Sequence, residues 1–268
     1  MKKIHFSTEL IVILIVAALW IFLSLTTKNF FTVSNIRNLF SQEAITGVLT
    51  VGQVYVIITV GMGLSVGTVM ALSNVVLSIL IVNTGMSIPL AIILSVALAT
   101  GFGVANGAIV YELNMPPFIV TLGTMTIALG AALLLAKGAT IFGLPLSISH
   151  FGSGLLLGMP NLFWIMIAVV ILGEIFLRFS KFGKYVYAVG SNVEAARLSG
   201  VNVRKTIYGV YTLSGFLAGI AGVMLTGRLW MGIPTAGSSA NLDSIASAAI
   251  GGASLFGAIG SSVGGFLG

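Results

Sequence analysis

The chain has 268 residues, of which 57% are hydrophobic and 7% are charged, and its net charge is +6. A soluble globular domain carries about 25% charged residues, so this chain cannot cover itself with a polar surface. Its apolar runs are continuous and do not alternate, which excludes a transmembrane β-barrel and predicts an all-α membrane protein. We expect a polytopic helical bundle forming one transmembrane domain over residues 1–268. The chain has no cysteine, which excludes disulfides and thiolate sites.

Eight apolar runs approach the roughly 20 residues that span a bilayer. The first, at about Leu10–Leu25, follows a basic start and lacks an obvious small-residue cleavage site. It therefore predicts an uncleaved span, with a removed signal as the alternative. The other runs are, approximately, Ala44–Met62, Val66–Val82, Pro89–Tyr111, Pro117–Ala136, Pro160–Phe179, Thr206–Thr226 and Leu242 to the end.

Two connections carry patterns of their own. After the first run, Ile36, Leu39 and Phe40 share one helical face, which indicates a short helix at the membrane interface or else a polar connector. Residues 138–160 contain several glycines and two prolines, which predicts a loop, with a re-entrant piece as the alternative.

The basic residues indicate an orientation. With the N-terminus inside, six spans precede residues 178–205, so this segment returns to the cytoplasm. Its six basic residues join Lys2 and Lys3 there, whereas four basic residues fall outside. An excess of Lys and Arg on the cytoplasmic side agrees with the positive-inside rule. The excess positive charge therefore indicates membrane topology rather than nucleic-acid binding.

Small residues recur at helical spacing. The chain contains 34 glycines, and the pairs four residues apart include Gly103 with Gly107, Gly215 with Gly219, and Gly260 with Gly264. Such pairs let helix backbones approach closely, so they predict tight packing between spans.

No catalytic or metal-binding set emerges. His5 and His150 lack a second histidine or carboxylate at metal-ligand spacing, so we expect neither a metal nor a cofactor. The glycine-rich stretch Gly61–Gly67 lacks the spacing and lysine of a phosphate-binding loop, and ATP hydrolysis is expected in a separate chain. That stretch indicates a tight turn between spans, with a helix break inside the membrane as the alternative. Asp243 lies at the start of an apolar run.

Several polar residues lie inside the predicted spans. Each is expected to form an interhelical hydrogen bond, with a place along a translocation path as the alternative. Because sugars need hydroxyl and amide partners, these residues are the candidates for a path: Gln53, Asn74, Asn106, Thr121, Thr124 and Ser247.

One charged segment stands out in the middle of the chain. Eight charged residues lie between Glu174 and Lys205, whereas residues 44–111 have none. Within it, Ser191 and Glu194 fit a capping box, and Gly200 suits the left-handed position that ends a helix. We therefore predict a two-turn helix at 192–199. Such a short helix needs support, so it either docks on a partner or is a solvated, capped loop.

Several stretches resemble one family in its own order. GKYVYAVGSNVEAARLSGVNVRK resembles the cytoplasmic loop of ribose-type (monosaccharide) ABC importer permeases. MPPFIVTLGTMTIALGAALLL (115–135) and GLSVGTVMALSNVV (63–76) are also similar to segments of that family, as are PTAG (234–237), residues 242–246 and GGASLFG (251–257). The similar stretches cover most of residues 31–268.

The resemblance implies a type II ABC importer-like bundle in the bacterial inner membrane, with the N-terminus in the cytoplasm. It also implies partners: cytoplasmic ABC ATPase subunits, a periplasmic or extracellular sugar-binding protein, and a second permease subunit. The cytoplasmic coupling loop would lie at about 180–205. The residues implied to form the ATPase-coupling helix are Ser191, Asn192, Glu194, Ala195, Ala196, Arg197, Ser199 and Gly200.

The chain departs from the family pattern in three ways. Gly63 stands where the family usually has Asp, with Val60 in place of a glycine, and Ala258 interrupts a usual glycine pair. The family continues through further spans after the position of Gly268, so about eight spans are expected here and the last ones are expected to be lacking.

Four functions remain open. The first is a monosaccharide permease, and the second is a permease of similar build for branched-chain amino acids or nucleosides. The third is an ion-coupled secondary transporter, which predicts uptake that survives ATP depletion. The fourth is an inactive, truncated permease.

Overall fold

A computed structural model describes residues 16, 19–27 and 30–268 of the chain. Residues 19–26 are helical, as the first apolar run predicts. The rest of that run, and His5, lie outside the described residues.

From residue 30 onward the architecture is almost entirely helical, with one short hairpin. Its elements are α1 (Val33–Ile58), α2 (Val66–Val82), α3 (Ile88–Glu112), α4 (Pro117–Leu135), α5 (Leu146–Ser153), β1 (Leu155–Leu156), β2 (Met159–Pro160), α6 (Asn161–Phe179), α7 (Lys181–Ser191), α8 (Val193–Leu198), α9 (Val203–Leu229), α10 (Ala240–Ile250) and α11 (Ser262–Leu267).

Four of the described helices, α3, α4, α6 and α9, are long and apolar enough to cross a membrane. The helix α2 is equally apolar but has only 17 residues. The prediction of a polytopic helical membrane protein is therefore confirmed.

Local sequence signals determine where several helices begin and end. Pro117 lies at the first position of α4, where its missing N–H costs no hydrogen bond. The Asn202 side chain accepts a hydrogen bond from the Lys205 N–H at 2.9 Å and so caps the start of α9. The same helix ends at Trp230, which has the left-handed φ of 54°.

The helices α1 and α9 form the centre of the bundle. Almost every residue of α1 from Ala44 to Ile58 is buried, and α9 packs along α1, α2 and α3. A helix apolar on all sides is buried by neighbouring helices or by lipid. Here α1 is enclosed by protein, whereas α3, α4 and α6 leave wide apolar faces exposed.

Glycines bring α3 and α9 into close contact. The backbone at Gly103 lies against Gly215, and an added Cβ on Gly215 would be 2.8 Å from the Gly103 Cα atom. Likewise, an added Cβ on Gly219 would be 2.9 Å from the Val96 Cα atom. The tight helix packing predicted from these glycine pairs is confirmed.

The structure corrects the predicted start of the second span. Residues 36–40 belong to neither a separate interfacial helix nor a connector, because α1 runs without interruption from Val33. Its Thr32 cap accepts a hydrogen bond from the Asn35 N–H at 3.3 Å. The ring of Phe40 packs edge-on against Phe163 of α6 at a centroid distance of 4.9 Å, so the start of α1 is anchored in the bundle.

The structure also corrects two boundaries nearer the C-terminus. Residues 138–160 contain helix α5, which includes His150, and the β1–β2 hairpin, so this stretch is more ordered than a loop. The apolar run from Leu242 onward is not one continuous span. It forms the short helices α10 and α11, because the chain takes positive φ values at Gly252, Gly257 and Ala258 between them.

Glu174, a carboxylate within α6, holds the start of α11. Its Oε2 accepts hydrogen bonds from the backbone N–H groups of Ser262 at 2.6 Å and Val263 at 3.3 Å. The same carboxylate forms an ion pair with Arg178. A charge inside a membrane protein is expensive unless it is paired, and here it caps a helix N-terminus.

We expect Glu174→Ala to release α11 from the bundle. Hydrogen bonds to a charged group contribute about 1.5–3 kcal/mol, and the freed N–H groups would remain buried without an acceptor. Amide hydrogen exchange of the purified protein should show faster exchange at residues 262–267. Arg178→Gln keeps both cap bonds and is the control. Unchanged exchange in Glu174→Ala would contradict the capping role.

Candidate functional site

The connection between α1 and α2, residues 59–65, is a partly buried turn held by side chains from neighbouring helices. The Gln53 amide N–H donates to the Gly63 carbonyl, and the Thr121 hydroxyl of α4 donates to the Met62 carbonyl at 2.8 Å. Helix breaks within a membrane protein require such partners for the freed backbone groups. The glycine-rich stretch is thus a turn between two helices, as predicted, and the carbonyls of Met62 and Gly63 are paired within the protein. A helix break inside the membrane stays a prediction.

Three further candidates for the path also form internal hydrogen bonds. Asn74 donates to the Thr226 hydroxyl at 2.7 Å, and its carbonyl oxygen accepts from the Ile233 N–H at 2.7 Å. Asn106 donates to the Ser65 hydroxyl at 3.0 Å, and Thr124 donates to a carbonyl within α4. All three are at most 7% exposed. The bonds of Asn74 and Asn106 join distant parts of the chain, as expected for interhelical hydrogen bonds, whereas the bond of Thr124 lies within α4. A part in transport stays a prediction.

The sixth candidate, Ser247, donates to the Gly265 carbonyl at 2.7 Å and also lines a large cavity. This cavity of about 400 Å³ lies between α1, α10 and α11. Its wall combines hydroxyl groups, carboxylates and apolar side chains, contributed among others by Glu43, Thr46, Asp243, Ser247 and Phe266. A mixed wall of this kind suits a small polar ligand with apolar faces.

Glu43 and Asp243 are distinctive among the acidic residues. In the part of the chain that the structure describes, Glu112, Glu174 and Glu194 each pair with an arginine within 4 Å. Glu43 and Asp243 have no such ion pair among those residues, and both face the same cavity. The sequence singled out Asp243 and missed Glu43, because about 200 residues separate the two positions along the chain.

The charged segment at 180–205 folds into two consecutive helices and the start of α9. The structure corrects the predicted cap: Ser191 is the last residue of α7, and Asn192 caps α8 by accepting from the Ala195 N–H at 2.9 Å. The helix therefore covers Val193–Leu198 and not 192–199. Gly200 has a φ of +81°, as predicted for the residue that ends it.

The helix α8 is supported by its own chain on one side only. Ala196 is buried in a small apolar cluster with Val189 of α7 and Val203 of α9. Among the residues that the resemblance assigned to the coupling helix, those other than Ala196 are exposed. Leu198 is 88% exposed, so α8 presents an apolar side chain to its surroundings.

The helix α7 connects this segment to the interior of the bundle. The backbone of Gly190 lies against the Ile58 carbonyl at the end of α1, which also accepts from the Ala258 N–H at 3.0 Å. The Tyr187 hydroxyl donates to the Gly260 carbonyl at 2.6 Å, and burial raises the pKa of this hydroxyl. The helix α7 thus joins α8 to the end of α1 and to the turn before α11 through close backbone contacts.

A comparison of the sequence with known protein families agrees with these features. Residues 35–267 match the family described as the permease component of the branched-chain amino acid transport system. The chain belongs to this permease family. It is thus a multi-pass membrane component of a transport system, and the predicted class of protein is confirmed. No solved structure matches the chain significantly.

Individual relatives are similar over nearly all of the chain. The chain is 38% identical to the ribose import permease protein of Bacillus subtilis (strain 168), over 100% of this chain and 84% of the relative. It is 36% identical to the ribose import permease protein of Escherichia coli (strain K12), over 97% and 81%. It is 37% identical to the fructose import permease protein of Rhizobium meliloti, over 88% and 68%.

Proposed function

We propose that this permease carries a monosaccharide as the membrane-spanning subunit of an ATP-driven importer. The observation that carries this proposal is the identity of 36–38% to relatives named as ribose and fructose import permeases. A second candidate is a branched-chain amino acid permease, which the description of the family itself favours. The wall of the cavity near Asp243 is compatible with a sugar, because carboxylates and hydroxyls accept and donate the hydrogen bonds that sugar hydroxyls need.

The same proposal includes partner chains. ATP hydrolysis would occur in separate cytoplasmic ABC ATPase subunits, and a sugar-binding protein would deliver the substrate to a pair of permease subunits. The helix α8 would seat on the ATPase, and the contacts of Gly190 would pass its movement to α1. This arrangement places the N-terminus and residues 180–205 in the cytoplasm of a bacterial inner membrane.

Uptake measurements test the choice of substrate. Cells carrying the complete transport operon would be given labelled ribose, fructose or leucine. We expect sugar uptake that stops on ATP depletion while the proton gradient persists. Leucine uptake without sugar uptake would favour the second candidate, and uptake that survives ATP depletion would exclude an ATP-driven importer.

The unpaired carboxylates are proposed to line the outer part of the sugar path. Asp243→Asn should lower sugar uptake about tenfold or more, because a hydrogen bond to a charged group contributes about 1.5–3 kcal/mol and each 1.4 kcal/mol is a factor of ten. Glu43→Gln should act in the same direction. Both variants keep the side-chain shape, so the amount of permease in the membrane should not change.

Glu112→Gln is the matched control for these variants. Glu112 is also a carboxylate near a helix end, but it pairs with Arg204 and lies outside this cavity. Exposed ion pairs contribute at most about 1 kcal/mol, so this control should transport nearly normally. Equal uptake in Asp243→Asn and Glu112→Gln would show that Asp243 does not line the sugar path. This result would not bear on which substrate the permease carries.

A further inference from the structure

Three buried polar atoms near the turn between α1 and α2 have no hydrogen-bond partner among the residues that the structure describes. They are the Gln53 Oε1, the Asn106 Oδ1 and the Tyr211 Oη. These side chains are 0%, 4% and 3% exposed. A buried polar atom without a partner costs about 1–3 kcal/mol, so three of them in one region call for a physical explanation.

The three atoms belong to different helices that meet at the same turn. Gln53 lies on α1, Asn106 on α3 and Tyr211 on α9. A Cβ added to Gly61 would be 2.7 Å from the Tyr211 Oη, and a Cβ added to Gly63 would be 2.6 Å from the Gln53 Oε1. The absence of side chains at both glycines therefore leaves these polar atoms facing the turn.

A small cavity lies at this meeting point. Its wall includes Gly63, Ser65, Asn106, Tyr211 and Ser214, and it offers about 10 Å³ of space open to water. A cavity of roughly 10–15 Å³ holds one water molecule, provided that the water finds two to four polar partners. No charged residue is part of the wall, so a cation would be buried there without compensation.

The donors and acceptors around the cavity balance for one water. The amide nitrogen of Gln53 already donates to the Gly63 carbonyl and that of Asn106 to the Ser65 hydroxyl, so both side chains offer acceptor oxygens. The Tyr211 hydroxyl offers a donor. Of the three unpartnered atoms, those of Asn106 and Tyr211 belong to residues of the cavity wall. We propose that one buried water binds here, accepts from Tyr211 and donates to Asn106. This water links α3 and α9 next to the turn.

Replacing Tyr211 with phenylalanine tests the water site without reference to transport. The purified full chain would be unfolded by heat in detergent. If the hydroxyl donates to a bound water, Tyr211→Phe should lower the melting temperature by about 2–4 °C, as expected for one lost hydrogen bond. If the cavity is dry, the substitution removes a buried hydroxyl without a partner. The melting temperature should then stay the same or rise, and this result would overturn the proposal.

Tyr55→Phe calibrates the measurement. Tyr55 is 0% exposed, and its hydroxyl donates to the Gly173 carbonyl at 2.6 Å. Tyr55→Phe therefore measures how far the melting temperature falls when a buried tyrosine loses a hydrogen bond to the protein. We expect the two variants to lose similar amounts. A density map of the wild-type protein that resolves ordered waters gives an independent answer, even where a variant fails to fold. A peak within hydrogen-bond distance of the Asn106 Oδ1 and the Tyr211 Oη is expected, and a map without it would refute the site.

Discussion

Gly103→Leu is expected to prevent the formation of the native bundle. A Cβ at this position would meet backbone atoms of α9, with the Gly215 Cα and the Thr212 Cα each at 3.1 Å. Backbone atoms cannot rotate away, so α3 and α9 would have to separate. Overpacking costs typically 1–3 kcal/mol, and we expect the leucine to exceed about 3 kcal/mol. Size-exclusion profiles and thermal unfolding in detergent would show aggregation or a strongly lowered melting temperature. The melting temperature of Gly103→Ala should lie between those of Gly103→Leu and the wild type.

Gly101→Leu is the matched control for this substitution. Gly101 lies on the same helix, and a Cβ there would have no atom within 4 Å. Replacing a helical glycine with leucine improves helix propensity by up to about 1 kcal/mol, so the control should be neutral or slightly stabilised. A Gly103→Leu protein that melts like Gly101→Leu would show that the contact between α3 and α9 is not essential.

The glycine pairs show what the sequence could and could not predict about packing. The spacing of Gly103 with Gly107 and of Gly215 with Gly219 predicted close helix contact. The identity of the partners could not be read from the sequence, because α3 and α9 are separated by about 90 residues and the chain has 34 glycines. Spacing within a helix reports a local face, whereas pairing depends on the topology of the whole bundle.

The helix boundaries show a second limit. Ser191 and Glu194 satisfied the sequence pattern of a capping box, but α7 extends through Ser191 and leaves Asn192 as the cap. Ser191 and Asn192 are both residue types that cap helices well, so the end of α7 determines which of them caps α8. The run from Leu242 onward has the mean hydropathy of a span, but its glycines permit the positive φ values that divide it into α10 and α11.

For the site residues as well, local sequence patterns predicted single contacts and missed the long-range arrangement. Polar residues within spans were expected to form interhelical hydrogen bonds. Asn74 forms such a bond with Thr226, whereas Gln53, Asn106 and Thr121 bond to the turn between α1 and α2. The cavity near Asp243 joins α1 to α10 and α11 across most of the chain, so no local pattern could predict it. The available signal was the rarity of carboxylates beside apolar runs, which marks each of them as a candidate for function.

The second large effect is expected from a substitution on the exposed face of α8. Leu198 is 88% exposed. Among the predicted coupling residues, Ala196 alone packs against the rest of the chain. A single exposed leucine is common on protein surfaces and does not by itself indicate a partner, but this one is available for an apolar contact. Under the proposed function, the partner is the ATPase subunit, and burial of a leucine contributes about 1.5–3 kcal/mol to such a contact.

We expect Leu198→Asp to abolish co-purification of the ATPase subunits and to lower sugar uptake at least about tenfold. The carboxylate would lose the apolar contact and would also have to be desolvated in the interface. The melting temperature of the isolated permease should not change, because the side chain contacts little of its own chain. Affinity purification of the permease from cells expressing the whole operon measures the first effect, and labelled sugar measures the second.

Leu157→Asp serves as the control because Leu157 is 85% exposed in the β1–β2 hairpin, at the opposite end of α6 from α7 and α8. It introduces the same charge at a similarly exposed leucine, but away from the proposed ATPase surface. Loss of the ATPase in Leu198→Asp but not in Leu157→Asp would assign docking to α8. If both variants retain the ATPase, α8 is a solvated, capped connection. The contacts of Gly190 with the end of α1 would then stabilise the bundle without transmitting movement from a partner.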